Sequence, residues 1–292
     1  MFWQKEELNM VEDSQIKAQV SPFAIREGEI KTFDGKDGYV SMNQIVHKIN
    51  IGHITDIHFA ILDLVNEFEF ITSRQIYQML EIKGIDPKSQ DKLNNKLDAL
   101  VKSKILTRYY FTSDEGKGIY RIYCLEKMGK YLLTSKEVEC KWQPSDNTKP
   151  VPMIKKRLAG NQVLIAYLRK VKAFDSYVVK PAITAKTLGK VFKATGGSVK
   201  LTKNNKSIQF LFEVVRREFD WKKKLVEKMN LYKDFYENFQ PGDSGFAGLP
   251  QLILVCEDEK HMAECFKEIV TNKVEITQIK LLFTTDLRQN EE

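Results

Sequence analysis

The chain predicts an α+β fold: an N-terminal winged helix-turn-helix followed by a mixed α/β domain. Three observations carry this. Between Ile71 and Leu133, two helix-like stretches precede two β-rich runs around a glycine-containing loop. Residues 140–152 then lose all periodicity. Beyond them, short apolar runs alternate with helical stretches, the pattern of a sheet layered with helices.

Composition bounds the rest. A chain of 292 residues suits two domains, each long enough for its own core. With 42% hydrophobic and 29% charged residues it reads as an ordinary globular protein. A net charge of +7 favours a polyanionic partner. No apolar run approaches the roughly 18 residues that span a bilayer. The opening MFWQKEELNMVEDSQ carries acids where an export signal would be basic, so no membrane and a cytoplasmic location are expected. Cys124, Cys140, Cys256 and Cys265 are scattered without a CxxC pair, and His47, His53, His58 and His261 suggest no ligand cluster. We therefore expect no disulfide framework, no metal site and no cofactor.

In chain order, residues 1–50 read as a polar arm and a small hairpin. The hairpin would join Ile30–Phe33 to Tyr39–Met42 through an Asp-Gly turn. Residues 51–139 form the winged module. Its first helix covers His53 to Phe70, with Ile54, Ile57, Ile61, Leu64, Val65 and Phe68 on one broad face. Thr72 caps the second helix, and Lys83-Gly84-Ile85 ends it. Asp86-Pro87 then starts the third, with an acid at the cap and proline at the first helical position. Leu93, Leu97, Leu100 and Val101 make its apolar stripe.

Lys88, Lys92 and Lys96 recur every four residues on another face, with Gln90, Asn94 and Asn95 nearby. Such a helix suits a major groove of double-stranded DNA. Lysines would meet phosphates, and the amides would pair with base edges. Runs from Ile105 to Phe111 and Ile119 to Leu125 form the wing, whose Lys117 would reach the minor groove or backbone. The plainer reading of the same stripe is a solvated helix face on a module that binds protein or joins domains.

Residues 140–152, with two prolines and a Ser-Asp-Asn-Thr run, form a linker. Residues 153–288 then offer a helix (Met153 to Lys172), a strand (Tyr177 to Ile183) and a strand pair (Ser198 to Thr202 and Ser207 to Val215). A long helix (Phe219 to Phe239), a buried strand (Gln251 to Cys256), a helix (Glu259 to Val270) and a last strand (Gln278 to Thr284) complete the domain. This order implies a mixed sheet with helices on both faces.

That layout resembles the replication-relaxation family of plasmid and integrative-element proteins over about residues 55–288. The similarity rests on GKGIYRIYCLEKMGKYLL, FLFEVVRREFDWKKKLVEKMNLYKDFY, LPQLILVCED and IKLLFTTDL. It implies that the second domain is restriction-endonuclease-like. It also implies an accessory of plasmid replication, relaxation or conjugative transfer, partnered by relaxase or replication proteins.

A working endonuclease core would need an acid on one strand and E-x-K on the next, holding a divalent metal. Glu213 matches the glutamate, but Val215 stands where the lysine belongs, and Ser198 to Leu201 offers no acid. No catalytic residue is assigned. Glu213 is expected to pair with Arg216, Arg217 or Lys228, and Glu218 and Asp220 to cap the following helix. Its stripe of Trp221, Leu225, Met229, Tyr232, Phe235, Tyr236 and Phe239 reads as core. Lys222, Lys223 and Lys224 could meet phosphate. The expected function is sequence-reading DNA binding without catalysis, with the second domain supplying docking or a homodimer contact. A transcriptional regulator with a ligand- or partner-sensing second domain, and a metal-dependent nuclease, are the alternatives.

Overall fold

The computed structural model describes residues 21–286 except 36–37, 114–115, 118–119, 172–173 and 204–205. The arm expected at residues 1–20 lies outside the described residues. The fold is α+β. In order, the elements are β1 (Ile30–Phe33), α1 (Met42–Asn50), α2 (Asp56–Phe68), β2 (Ile71–Thr72), α3 (Ser73–Ile82) and α4 (Gln90–Lys102). They continue with β3 (Leu106–Ser113), β4 (Gly116–Lys117), β5 (Ile122–Leu125), α5 (Lys127–Ser135) and α6 (Val151–Lys170). After α6 come β6 (Phe174–Val178), β7 (Ala182–Ala185), β8 (Lys190–Lys193), β9 (Ser198–Lys203) and β10 (Lys206–Val214). The chain closes with α7 (Trp221–Glu237), β11 (Gln251–Cys256), α8 (Glu259–Thr271) and β12 (Leu282–Thr285).

The first sheet has the order β1-β3-β5-β2, with β4 paired to β3. β3 and β5 are antiparallel, as the sequence suggests, and β2 adds to the far side of β5. The expected N-terminal hairpin is not formed. β1 instead pairs antiparallel with β3, Ile30 opposite Thr112 and Phe33 opposite Tyr109. The reason lies at Ser41. Its hydroxyl accepts from the Gln44 N–H while the Gln44 side chain accepts from the Ser41 N–H, and this capping box turns the second arm into α1. β1 is left free to cover the exposed edge of β3.

Thr72 caps α3 as expected, in a capping box with Gln75. Gln75 also donates to the Leu158 carbonyl on α6 (2.8 Å), and Asn161 of α6 donates to the Phe70 carbonyl (2.7 Å). These buried amides fix α6 against the end of α2 and the start of α3. Apolar residues on most sides of α6, including Ile154, Leu158, Val163, Leu164 and Leu168, are buried. One apolar cluster accordingly runs from Phe23 through α2–α5 and α6 to Val255 of the second sheet. Trp142 and Asn147, in the stretch expected as a linker, anchor there too. Asn147 donates to the Leu125 carbonyl, and Lys130 to that of Trp142.

The second sheet has the order β12-β11-β10-β9-β6. β10–β11 and β11–β12 are parallel, and the other pairs antiparallel, so the sheet is mixed as predicted. Its two faces alternate residue by residue. Phe212, Val214, Ile253 and Val255 join the α6 cluster, while Leu211, Val215, Leu252, Leu254 and Cys256 join a second cluster with α7 and α8. The single strand expected over Tyr177–Ile183 is two strands in different sheets. Pro181 has no N–H for a ladder, so β6 ends before it, and β7 pairs with the unanticipated β8.

Candidate nucleic-acid interface

The sequence points to two places for candidate chemistry: the outer surface of α4 and the end of β10.

α4 starts later than the Asp-Pro signal suggests. Asp86 does not cap it. Its carboxylate accepts the Lys88 N–H two residues on (2.7 Å) and closes a local turn, with Lys88 itself at φ 69. Ser89 is the cap: its backbone is extended, and its hydroxyl accepts the Lys92 N–H (3.2 Å). Lys88 therefore precedes the helix and pairs with Asp86 at 2.9 Å, both exposed.

Leu93, Leu97, Leu100 and Val101 are buried, as predicted. The polar residues divide between the two flanks. Lys92, Asn95 and Lys96 line a groove of about 640 Å3 together with Lys88 and with His53, Ile57 and His58 at the start of α2. Gln90 and Asn94 lie on the other flank and hydrogen-bond each other (3.2 Å). Of the seven predicted contacts, the six at α4 thus resolve into four that share a groove and two that do not. The Lys117 backbone pairs with Thr112 at the hairpin tip, and its side chain lies outside the described residues.

The groove wall is firm. His58 is buried, and its Nδ1 accepts the Thr55 N–H (3.1 Å) in the cap of α2. Burial, with Lys96 adding to it, lowers the imidazole pKa, so the ring is held neutral. At the other end of α4, α1 contributes a feature the sequence reading missed. Tyr39, Asn43, His47 and Lys48 border a second groove with Lys102, and the Lys48 ammonium donates to Ser103 (2.8 Å). The capping box at Ser41 and the helical spacing of Met42, Ile45 and Ile49 are the signals that could have found this helix.

At the end of β10, Glu213 is buried and fully engaged. Oε1 accepts the Thr195 hydroxyl (2.9 Å), and Oε2 accepts the Tyr232 hydroxyl (2.7 Å) and the Thr195 N–H (3.3 Å). Lys228 lies 3.6 Å from Oε2. Of the three expected partners, only Lys228 is used. Arg216 is wholly buried and pairs with Asp286 (3.1 Å), while Arg217 binds Glu257, Asp258 and Glu264. Burial first, and the neighbouring Glu213 charge second, push the Tyr232 phenol far above its ordinary range, so it stays a hydrogen-bond donor.

The expected caps of α7 are corrected. Asp220 occupies the cap position in a left-handed conformation without a side-chain cap bond, and Glu218 instead pairs with Lys156 and Lys224. The α7 stripe is core, with Leu225, Met229, Tyr232, Phe235 and Tyr236 buried. Lys222 and Lys224 of the lysine triplet are engaged with Glu268 and Glu218.

The expectation of no ligand cluster also needs correcting. Cys256, His261 and Cys265 are buried, with one donor atom each within 4.8 Å of the others. Cys256 ends β11, and the four-residue spacing of the other two puts them on one face of α8. The set of sulfur and imidazole donors suits a thiophilic cation, with one ligand fewer than the four of a closed zinc site. His261 Nδ1 already accepts the Glu257 N–H (3.2 Å), which competes with ligation there.

Among the described residues, no helix is long and apolar enough to cross a membrane. A family model described as replication-relaxation matches residues 62–249, well over half of the chain, running from α2 to just short of β11. No curated protein and no solved structure matches.

Proposed function

Starting from the fact that the chain belongs to the replication-relaxation family, we propose that it is a non-catalytic accessory of plasmid or mobile-element replication, relaxation or transfer that binds double-stranded DNA through α4. The family supports the replication or relaxation role. The DNA reading draws on α2, β2, α3, α4 and the β3–β5 hairpin, whose order is that of a winged helix. The observation that carries it is the groove on α4. Lys92 and Lys96 stand one turn apart beside exposed Asn95, with no side-chain ion pair to either lysine among the described contacts.

The second sheet, three antiparallel strands (β6, β9 and β10) continued by parallel β11 and β12 with helices on both faces, supports a restriction-endonuclease-like layout. Glu213 supports the reading without catalysis. Its oxygens are committed to Thr195 and Tyr232, and the Lys228 ammonium supplies the positive charge that a divalent ion would bring. Two charges of the same sign would compete for one carboxylate.

Recovery and sequencing of duplex fragments bound by the purified protein tests the proposal. A recurrent sequence among the fragments is expected. Recovery no better than that of a protein-free control would refute it.

A further inference from the structure

Where the helical N-terminal half meets the second sheet, a cleft of about 580 Å3 opens, lined by six basic side chains and two acidic ones. The carboxylates are heavily shared. Glu69, the residue that ends α2, sits at φ 72, a conformation that non-glycine residues rarely adopt. Its carboxylate is gripped by Lys149 (2.6 Å), by Lys180 and by Arg157 (3.8 Å). Glu218 is divided between Lys156 and Lys224. Lys149 also holds Asp146 (2.9 Å), so five cations share three carboxylates, and Lys193 adds a sixth cation at the rim.

The surplus is positive, and it sits in a concavity, where low-dielectric walls concentrate the field. Burial, then the neighbouring Arg157, bring the Lys180 ammonium down to about 8, against the opposing pull of Glu69. The N-terminus of α6 borders the same space through Pro150, Pro152 and Met153. That 20-residue helix has no acid in its first turn and no side-chain cap, so its dipole adds positive field there, although Pro150 and Pro152 carry no N–H and the Met153 N–H is bonded to the Pro150 carbonyl.

We propose that this cleft binds a phosphate group. A surplus of several positive charges, reaching one space from different walls, matches a compact anion with more than one charge and several acceptor oxygens. The group could be a backbone phosphate of DNA or belong to a free phosphorylated compound. The cleft is separate from the α4 groove. The groove borders the start of α2 and the cleft its end, about 20 Å apart for 13 residues at ~1.5 Å each.

The test uses the full chain and the double variant Lys193→Glu/Lys224→Glu. Both side chains are exposed, and Glu218 keeps Lys156. The control is Lys260→Glu/Lys267→Glu, the same charge change on the exposed side of α8. Thermal unfolding is followed with inorganic phosphate replacing chloride at constant ionic strength, and duplex DNA binding is measured in parallel.

We expect phosphate to raise the Tm of wild type and control by about 2–4 °C and to leave the cleft variant unmoved. Loss of duplex affinity in the cleft variant beyond that in the control assigns the group to DNA. Duplex binding equal to the control's, with the phosphate shift lost, assigns it to a free compound. A phosphate shift equal in all three proteins, or no shift together with duplex binding equal in both variants, overturns the proposal. Lys92→Ala/Lys96→Ala keeps the phosphate shift whether or not α4 binds DNA, so the two proposals fail separately.

Discussion

The Lys228 ammonium stands 3.6 Å from the Glu213 carboxylate, on the face of the sheet covered by α7. This pair decides how the end of β10 behaves. Glu213→Gln keeps an acceptor for Tyr232 and Thr195 but leaves Lys228 without its counter-charge. We expect a loss of about 3 kcal/mol, the lower end for breaking a buried pair because Lys228 is partly exposed. Urea unfolding measures it. Magnesium or manganese should not raise the wild-type Tm, since a ligand stabilises only the state it binds. A metal-dependent rise that the variant loses would make Glu213 a ligand instead.

The start of α4 gives a second prediction. Ser89 accepts the Lys92 N–H, whereas Asp86 bonds only within its own turn. Ser89→Ala should cost about 1 kcal/mol of stability. Asp86→Ala, at an exposed position outside the helix, should cost clearly less. Denaturant midpoints compare the two, and the reverse order would restore Asp86 as the cap.

His58 makes stability depend on pH. Its folded pKa lies below the ordinary imidazole value because of burial, reinforced by Lys96. In the window below about 6.5, the unfolded chain takes up a proton that the folded chain refuses. Stability should therefore fall as pH drops from 7 to 5. His58→Gln retains an acceptor at the α2 cap and removes the titration, so its stability should fall less over that interval. Equal slopes in the two proteins would show that His58 does not contribute.

Much of this fold can be read from periodicity. The stripe Leu93, Leu97, Leu100 and Val101, the Thr72 cap and the run Gln251–Cys256 each follow from spacing and residue type, and each lies where expected. Competition between neighbouring signals is harder to read. Asp86 and Ser89 both qualify as caps, and three-dimensional geometry selects the second. Long-range pairing is harder still. Nothing local tells β1 to join β3, some 80 residues away, or brings Cys256 to His261 and Cys265. The cleft lysines are scattered from Lys149 to Lys224 and form no motif, so only the packing of α6 between the halves assembles them. On α4, Lys92 and Lys96 share one groove, as their four-residue spacing implies. Asn94 lies apart from them, because its angular position on α4 falls on the opposite flank, beside Gln90.

The central claim is that α4 meets DNA with its groove-lining residues. A fluorescence anisotropy titration of labelled duplex across a series of salt concentrations tests it most directly. Lys92→Ala/Lys96→Ala should weaken binding on every sequence and reduce the slope of log K against log salt by about two. Asn95→Ala should reduce discrimination between sites by about 1–3 kcal/mol, and Asn94→Ala should have the smaller effect. Unchanged affinity and salt slope in the double lysine variant would contradict the account and remove α4 as the DNA-facing helix.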